Sequence, residues 1–339
     1  MKTERGGRVF PVSDKSSDII RTLTKEMERL GVRVRYGAKV QELVFDEDAR
    51  EAQAQSKSRR VTGVQLADGS RMTAKAVIIA TGGLSYPATG ATGDGYGFAE
   101  SAGHTVTECQ PSLVPFETEE QWHRKLQGLS LKNVRLYSLR AGQKKGSPGP
   151  RFDEQGELLF THFGISGPLV LTASARLGDA LPLRLAIDLK PALTAEELDY
   201  RLLRDFSAQP RRQFKNSLGE LFPAKLIPVM CALAEAEIPR DTPAGELTRA
   251  QRLAFGALIK ALPVTVTGTR GFSEAVITRG GVELKEINPS TMESRLCRGL
   301  FFAGEVLDCD ALTGGYNLQI AWSTGALAGE SAAGCRREN

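Results

Sequence analysis

Between residues 16 and 31 the apolar positions recur every three or four residues. Ile19, Leu23, Met27 and Leu30 fall on one face, Ser16 or Ser17 stands at the capping position, and Gly31 closes the run. That spacing predicts an amphipathic helix stopped by a residue free to turn left-handed. Alternation follows in "VRVRY" and "KVQELVF", which predicts two strands. A polar loop covers 46 to 60. Beyond it, "RRVTGVQLADGSRMTAKAVIIATGG" predicts a hairpin about Ala67, Asp68 and Gly69, then a buried strand, "AVIIA", running into Thr81-Gly82-Gly83.

The texture changes near residue 111, where short strand-like segments alternate with turns such as "GQKKGSPGP". The pattern from 194 to 261 is helical, and Thr194 with Glu197 and Thr248 with Gln251 fit capping boxes. Strand-like runs return in "PVTVTG" and "EAVITRGGVELKEI", and α/β character resumes near 298. The expected organisation is an α/β domain made of 1–110 and 298–335. It is interrupted by a β-barrel of 111–192 and 262–297, which carries a helical insert at 193–261.

Composition narrows the function. The net charge of +4 comes from 44 basic and 40 acidic residues with no long basic run, so no nucleic-acid partner is expected. No apolar run approaches the roughly 20 residues of a membrane span, and "MKTERGGRVFPVSDK" lacks the apolar core of a signal peptide. Cys109, Cys231, Cys297, Cys309 and Cys335 are odd in number and never spaced Cys-x-x-Cys. A reduced, cytoplasmic chain without a metal site fits them.

Glycine gathers in two clusters, each after a predicted strand. The first, "ATGGLSYPATGATGDGYGFAESAG", leads into a helix expected near Asp94. It reads either as a surface turn or as backbone that a flat ring or pyrophosphate approaches closely. The second lies in "FFAGEVLDCDALTGGYNLQIAWSTG". There the strand delivers Glu305 and Asp308 to a sheet edge, and Thr313-Gly314-Gly315 turns into a helix beginning near Tyr316 or Asn317. Free N–H groups and the helix dipole at that point suit an electron-rich ligand such as the pyrimidine edge of a reduced flavin.

Four stretches carry a resemblance. "RGGRVFPVSDKSSDII", "VIIATGGLSYPATGATGDGYGFAESAGH", "LLFTHFGISGP" and "GGVELKEINPSTMESRLCRGLFFAGEVLDCDALTGGYNLQIAWSTGALAG" are similar to the HI0933-like flavoproteins, also labelled BaiN-like or aminoacetone-oxidase-like NAD(P)/FAD-dependent oxidoreductases. The resemblance spans essentially the whole chain. It implies a glutathione-reductase-like FAD/NAD(P)-binding fold with an inserted β-barrel and a small helical subdomain. FAD is the implied cofactor, NADH or NADPH the electron donor, and a small molecule the substrate. It places Ala80, Thr81, Gly82 and Gly83 along the flavin, and Gly304, Glu305 and Asp308 along the ribityl and pyrophosphate region. Gly314, Gly315, Tyr316, Asn317 and Leu318 lie at the helix N-terminus facing the isoalloxazine, and Val40 in "AKVQEL" is a backbone contact to adenine.

One expected element is missing. Dinucleotide folds open on strand, G-x-G-x-x-G and helix, and no such fingerprint occurs in the 339 residues. The expectation is a fold without its first βαβ unit. Alternative readings remain a non-catalytic remnant that has lost FAD, or a binding module. No catalytic residue is named by the sequence. His104 reads as a helix-end residue and His123 as exposed. His162, ahead of a helix start at Ser166-Gly167-Pro168, reads either as structural or as facing a flavin pocket.

Overall fold

The computed structural model describes residues 1–4, 7–46, 59–139, 152–178 and 181–334. Most of the predicted 46–60 loop, the turn "GQKKGSPGP" and Cys335 lie outside these residues. The strands in chain order are β1 (Lys2–Glu4), β2 (Arg8–Phe10), β3 (Val40–Phe45), β4 (Arg59–Leu66), β5 (Arg71–Thr73), β6 (Val77–Ile79), β7 (Gln110–Ser112), β8 (Phe116–Thr118), β9 (Ser130–Ser138), β10 (Asp153–Phe160), β11 (Gly164–Ser166), β12 (Leu183–Asp188), β13 (Leu262–Thr269), β14 (Ile277–Arg279), β15 (Cys297–Arg298) and β16 (Leu300–Phe302). The helices are α1 (Ser16–Arg29), α2 (Asp94–Ser101), α3 (Pro168–Leu177), α4 (Ala195–Ala208), α5 (Ile227–Ala234), α6 (Arg249–Lys260) and α7 (Tyr316–Gly334).

The chain forms two compact units, one of Met1–Gln110 with Ile277–Asn339, the other of Pro111–Val276. Residues 277–297, expected with the barrel, pack in the first unit instead. Val282 bridges to Leu307, and Ile287, Met292 and Cys297 are buried in that unit's core. "EAVITRGGVELKEI" is therefore only briefly a strand, and its paired glycines lead it back to the α/β part.

In the first unit, β3, β4 and β5 form the predicted antiparallel hairpin sheet, with β15 added parallel to β4. A second sheet pairs β6 and β16 in parallel. The helix α1 ends at Gly31 as expected, since Val32 N–H bonds to Met27 O and Gly31 N–H to Glu28 O. Its apolar face is not buried, and Leu23 and Leu30 stay exposed. "VRVRY" is not a strand. Val32, Val34 and Tyr36 alternate correctly but are all exposed, and no strand among the described residues pairs them.

The second unit is a closed antiparallel barrel in the order β10-β11-β8-β13-β12-β9, so none of its strands leaves an open edge. Alternate residues point inward, among them Val134, Leu136, Leu158, Phe160, Leu185, Ile187, Val264 and Val266, all buried. One hydrophobic core runs from the barrel into α4, α5 and α6. Both capping boxes form. Thr194 Oγ1 accepts from Glu197 N–H at 3.1 Å while Glu197 Oε2 accepts from Thr194 N–H at 2.8 Å, and Thr248 with Gln251 repeats the pattern. The first turns of α4 and α6 are thus fixed where the sequence places them.

Phe255 on α6 meets the ring of Phe214 edge-on at 5.0 Å and that of Phe222 at 6.3 Å, fully buried. Phe255→Ala is expected to lower unfolding free energy by about 3–5 kcal/mol. Leu23→Ala on α1 should change it by less than about 0.5 kcal/mol, because that side chain is exposed. Urea denaturation of the two variants checks the contrast, and equal losses would contradict it.

Candidate functional site

The two glycine clusters, more than 200 residues apart in sequence, are brought together by one strand pair. Leu300, Phe301 and Phe302 stand opposite Val77, Ile78 and Ile79, and Ala303 N–H continues the ladder to Ile79 O at 3.0 Å. Parallel strands in register end at one edge, so Ala80–Gly83 and Ala303–Asp308 leave the sheet side by side. Ligands of open α/β sheets bind outside such carboxyl ends.

A polar knot ties the two turns. Thr278 N–H donates to Glu305 Oε1 at 2.7 Å, and Thr278 Oγ1 accepts from Leu84 N–H at 2.8 Å and Ser85 N–H at 3.1 Å. Gly83 lies against this knot. A Cβ there would stand 2.4 Å from Thr278 Oγ1 and 2.8 Å from Glu305 Oε1, closer than any side chain tolerates. At Gly95 a Cβ would come within 2.1 Å of Thr81 Oγ1, which lets α2 start directly beneath the first turn. Thr278 was not picked out by the sequence. Its signal was its place just ahead of Gly280-Gly281, at the end of a short strand.

The second turn is held from several sides. Gly304 N–H donates to Thr324 Oγ1 on α7 at 2.9 Å. Asp308 N–H reaches Val282 O at 3.0 Å, while Asp308 Oδ2 accepts from Thr107 Oγ1 at 3.0 Å. Asn317 closes the approach to α7, accepting from Ala311 N–H and donating to Ala311 O, both at 2.8 Å. Its side chain is thereby committed to the loop. Gly315 O accepts from Gln319 N–H, so α7 begins where expected, with its first N–H groups lacking helical partners. Gly82 and Gly315 have positive φ and open space in front of them, and Tyr316 and Leu318 are exposed beside them. Val40, at the start of β3, pairs with Leu66.

Comparison with known proteins identifies the family. The HI0933-like protein Rossmann domain matches residues 1–331. A 3-dehydro-bile acid delta(4,6)-reductase of Clostridium scindens is 32% identical over 333 residues, covering 97% of this chain and 76% of the relative. A ribosomal RNA dihydrouridine synthase of Haemophilus influenzae is 33% identical over 320 residues, covering 94% and 73%. The Escherichia coli protein of the same name is 32% identical over 321 residues, covering 94% and 72%. The chain belongs to the HI0933-like family. Its α/β unit is accordingly of the Rossmann type, and the barrel is the chain's insertion into it.

In this HI0933-like chain two further groups of the same unit, one buried and one half-buried, have perturbed protonation. Tyr96, on α2, has a buried hydroxyl with no hydrogen-bond partner among the described residues. Burial holds the phenol protonated, and the neighbouring Cys109 thiol, Glu305 and Asp308 add to the effect. Cys309 has its thiol pushed up by burial first, then by Asp310 and Asp308, so it is no ready thiolate.

His104 follows α2 as expected. Its N–H bonds to Ala99 O and that of Gly103 to Glu100 O, a helix-ending pair. Its ring joins an arrangement the sequence did not show. Nδ1 lies 3.0 Å from Glu286 Oε2, and Nε2 lies 2.7 Å from Ser294 Oγ. The order imitates a nucleophilic triad, but Ser294 Oγ already accepts from Leu296 N–H and Cys297 N–H. Its own proton therefore goes to Nε2, and His104 carries its proton on Nδ1, toward Glu286. Serine and histidine are both buried, so the line is a structural clasp. In the other unit, His123 is buried rather than exposed, with Nδ1 3.1 Å from Thr161 O. His162 is exposed and packs edge-on to Phe163.

Two outcomes follow from this geometry. Gly83→Ala should destabilise the protein by about 1–3 kcal/mol through overpacking against Thr278 and Glu305. A melting temperature equal to the parent's would contradict it. The second concerns pH. Burial holds the His104 imidazole below its ordinary value of 6.5, outweighing the pull of Glu286. The folded state thus resists a proton that the unfolded chain accepts, and stability falls as pH drops through about 6.5. Burial pushes the Glu286 carboxyl up, but hydrogen bonds from Thr105 and His104 bring it below its ordinary 4.5, which adds a further loss in more acid solution. Melting curves between about pH 7.5 and about pH 5.5, about one unit either side of the histidine value, should show this first loss, and His104→Gln should flatten it.

Proposed function

We propose that the chain is an FAD-dependent oxidoreductase that uses NADH or NADPH to reduce a small organic substrate. The carrying observation is the meeting of two glycine turns at the ends of adjacent parallel strands, beside the unpartnered N-terminus of α7. The residues present suit a flavin. Gly82 and Gly315 leave open space against bare backbone, Tyr316 and Leu318 offer apolar surface, and the first N–H groups of α7 favour electron-rich oxygen or nitrogen. Gly82, Gly83, Gly304 and Glu305 would hold the ring and the ribityl chain, and Gly314–Leu318 the pyrimidine side. When bound, the flavin supplies hydride transfer from the nicotinamide to the substrate. The chain's own part is to fix that group, keep its edge supplied with N–H donors, and hold the Glu305 carboxylate in place through Thr278.

The names of the relatives favour a substrate class. A delta(4,6)-reductase and a dihydrouridine synthase both add hydrogen across a ring double bond. We extend that to this chain as reduction of a ring carbon–carbon double bond conjugated to a carbonyl. Two relatives are named for ribosomal RNA. The near-balanced charge of this chain and its lack of a basic run support a small molecule instead. No helix among the described residues is long and apolar enough to cross a membrane. A reducing, cytoplasmic setting suits both the nicotinamide donor and the four free cysteines among those residues.

The test supplies excess FAD without oxygen, adds NADH or NADPH, and follows the visible flavin band. Bleaching, followed by recovery when a cyclic enone is added, is expected above the rate of free FAD. A protein that leaves both rates unchanged refutes the activity.

A further inference from the structure

Outside the glycine turns, the second unit contains a cleft of about 190 Å³ between the barrel and the helical segment. Leu131, Val134, Leu189, Leu221, Phe222 and Leu226 make it apolar, and Lys132, Asn133 and Lys190 supply its polar atoms. A cavity of about 150 Å³ accommodates benzene, so this one has room for a phenyl-sized body with a short polar arm.

Two features of the chain shape this cleft. The first is a bulge in β9. Leu131 pairs with Leu158 and Val134 with Gly156, so Lys132 and Asn133 together oppose the single residue Glu157. A bulge turns side chains out of the ladder and is common at barrel rims beside binding sites. The second is a clamp on the backbone at Lys190. Asp188 is buried, accepts from Lys190 N–H at 2.9 Å and pairs with Lys260 Nζ at 2.5 Å, while Lys260 Nζ also donates to Lys190 O at 3.1 Å. The backbone is fixed and the Lys190 ammonium is left over. It is half-buried, stands 5.9 Å from the centre of the Phe222 ring, and has no carboxylate partner among the described residues. A desolvated cation held over an aromatic face, without a counter-ion, is costly unless something anionic reaches it.

We propose that this cleft binds a small organic anion, with a phenyl-sized apolar body among Leu131, Val134, Leu221 and Leu226 and a carboxylate on Lys190. The amide of Asn133 provides a second hydrogen bond to that carboxylate. Lys132, exposed on the bulge, and Arg201, which neighbours Lys190 but is itself bonded to Asp205 and to Glu220 O, add positive potential without competing for the contact. Burial first, then Arg201, holds the Lys190 ammonium below lysine's ordinary value, consistent with a cation that lacks its partner. The site is independent of the flavin reading, since every residue in it belongs to the barrel-containing unit.

The experiment titrates the full chain with three probes, followed by calorimetry and ligand-observed NMR: 3-phenylpropionate, its neutral amide, and inorganic phosphate. Saturable binding of the carboxylate is expected, with the amide and phosphate each at least about tenfold weaker. Lys190→Met should weaken carboxylate binding at least about tenfold, and Lys190→Arg should retain most of it. Lys285→Met, in the other unit, should change nothing. Melting curves confirm that each variant is folded. The proposal is overturned if the carboxylate does not saturate, if the amide or phosphate binds as well, or if folded Lys190→Met binds like the parent.

Discussion

The register of β6 against β16 is the constraint on which the candidate site depends. Three residue pairs set two turns, distant in sequence, at one sheet edge. Slipping either strand by one residue would reverse which of its side chains face the core. On β6 Ile79 is buried while Ile78 is exposed, which fixes the face that this strand turns to the core, whereas Leu300, Phe301 and Phe302 are buried on both faces of β16. Everything else at the site is built on that alignment. Thr278 can bridge Glu305 and the Leu84–Ser85 backbone only because both turns leave the sheet together, and Gly83 is required only because they pass so close.

The two units solve the problem of stability differently. The barrel closes on itself, and its core continues into the helices between β12 and β13, with aromatic rings meeting edge-on in that continuation. In the α/β unit the core is smaller, and among the described residues α1 and α7 bury few side chains fully. α1 contributes no fully buried residue, and α7, although rich in alanine and leucine, buries only Ala328 completely. Local opening free energies should follow this difference, low at α1 and the outer face of α7 and high in the barrel. Binding surfaces are commonly drawn from such less stable elements, and here the N-terminus of α7 is one.

Much of this was legible in the sequence. Gly31, the two capping boxes and the Ala67-Asp68-Gly69 hairpin are local signals, and local physics realised them. The two glycine clusters were found from their positions after strands. What was not legible depends on distant contacts. "VRVRY" has a strand's alternation but no partner strand among the described residues, and a ladder needs both. The apolar stripe of α1 was read correctly as a pattern, while its exposure is a fact of the surrounding structure. Residues 277–297 look strand-rich and were assigned to the barrel, yet Val282 and Ile287 pack in the other core. Thr278 and the clasp of His104, Glu286 and Ser294 join residues more than 180 apart, so no spacing rule exposes them.

The central claim is that both glycine turns contact one flavin, and photolabelling tests it most directly. An FAD analogue bearing an azide on the isoalloxazine is irradiated with the protein, and labelled peptides are mapped with and without excess FAD. The account predicts label on the peptides carrying Thr81–Gly95 and Gly304–Leu318, removed from both by FAD. Label found only elsewhere in the chain, or on one of the two turns and insensitive to competition, would contradict it.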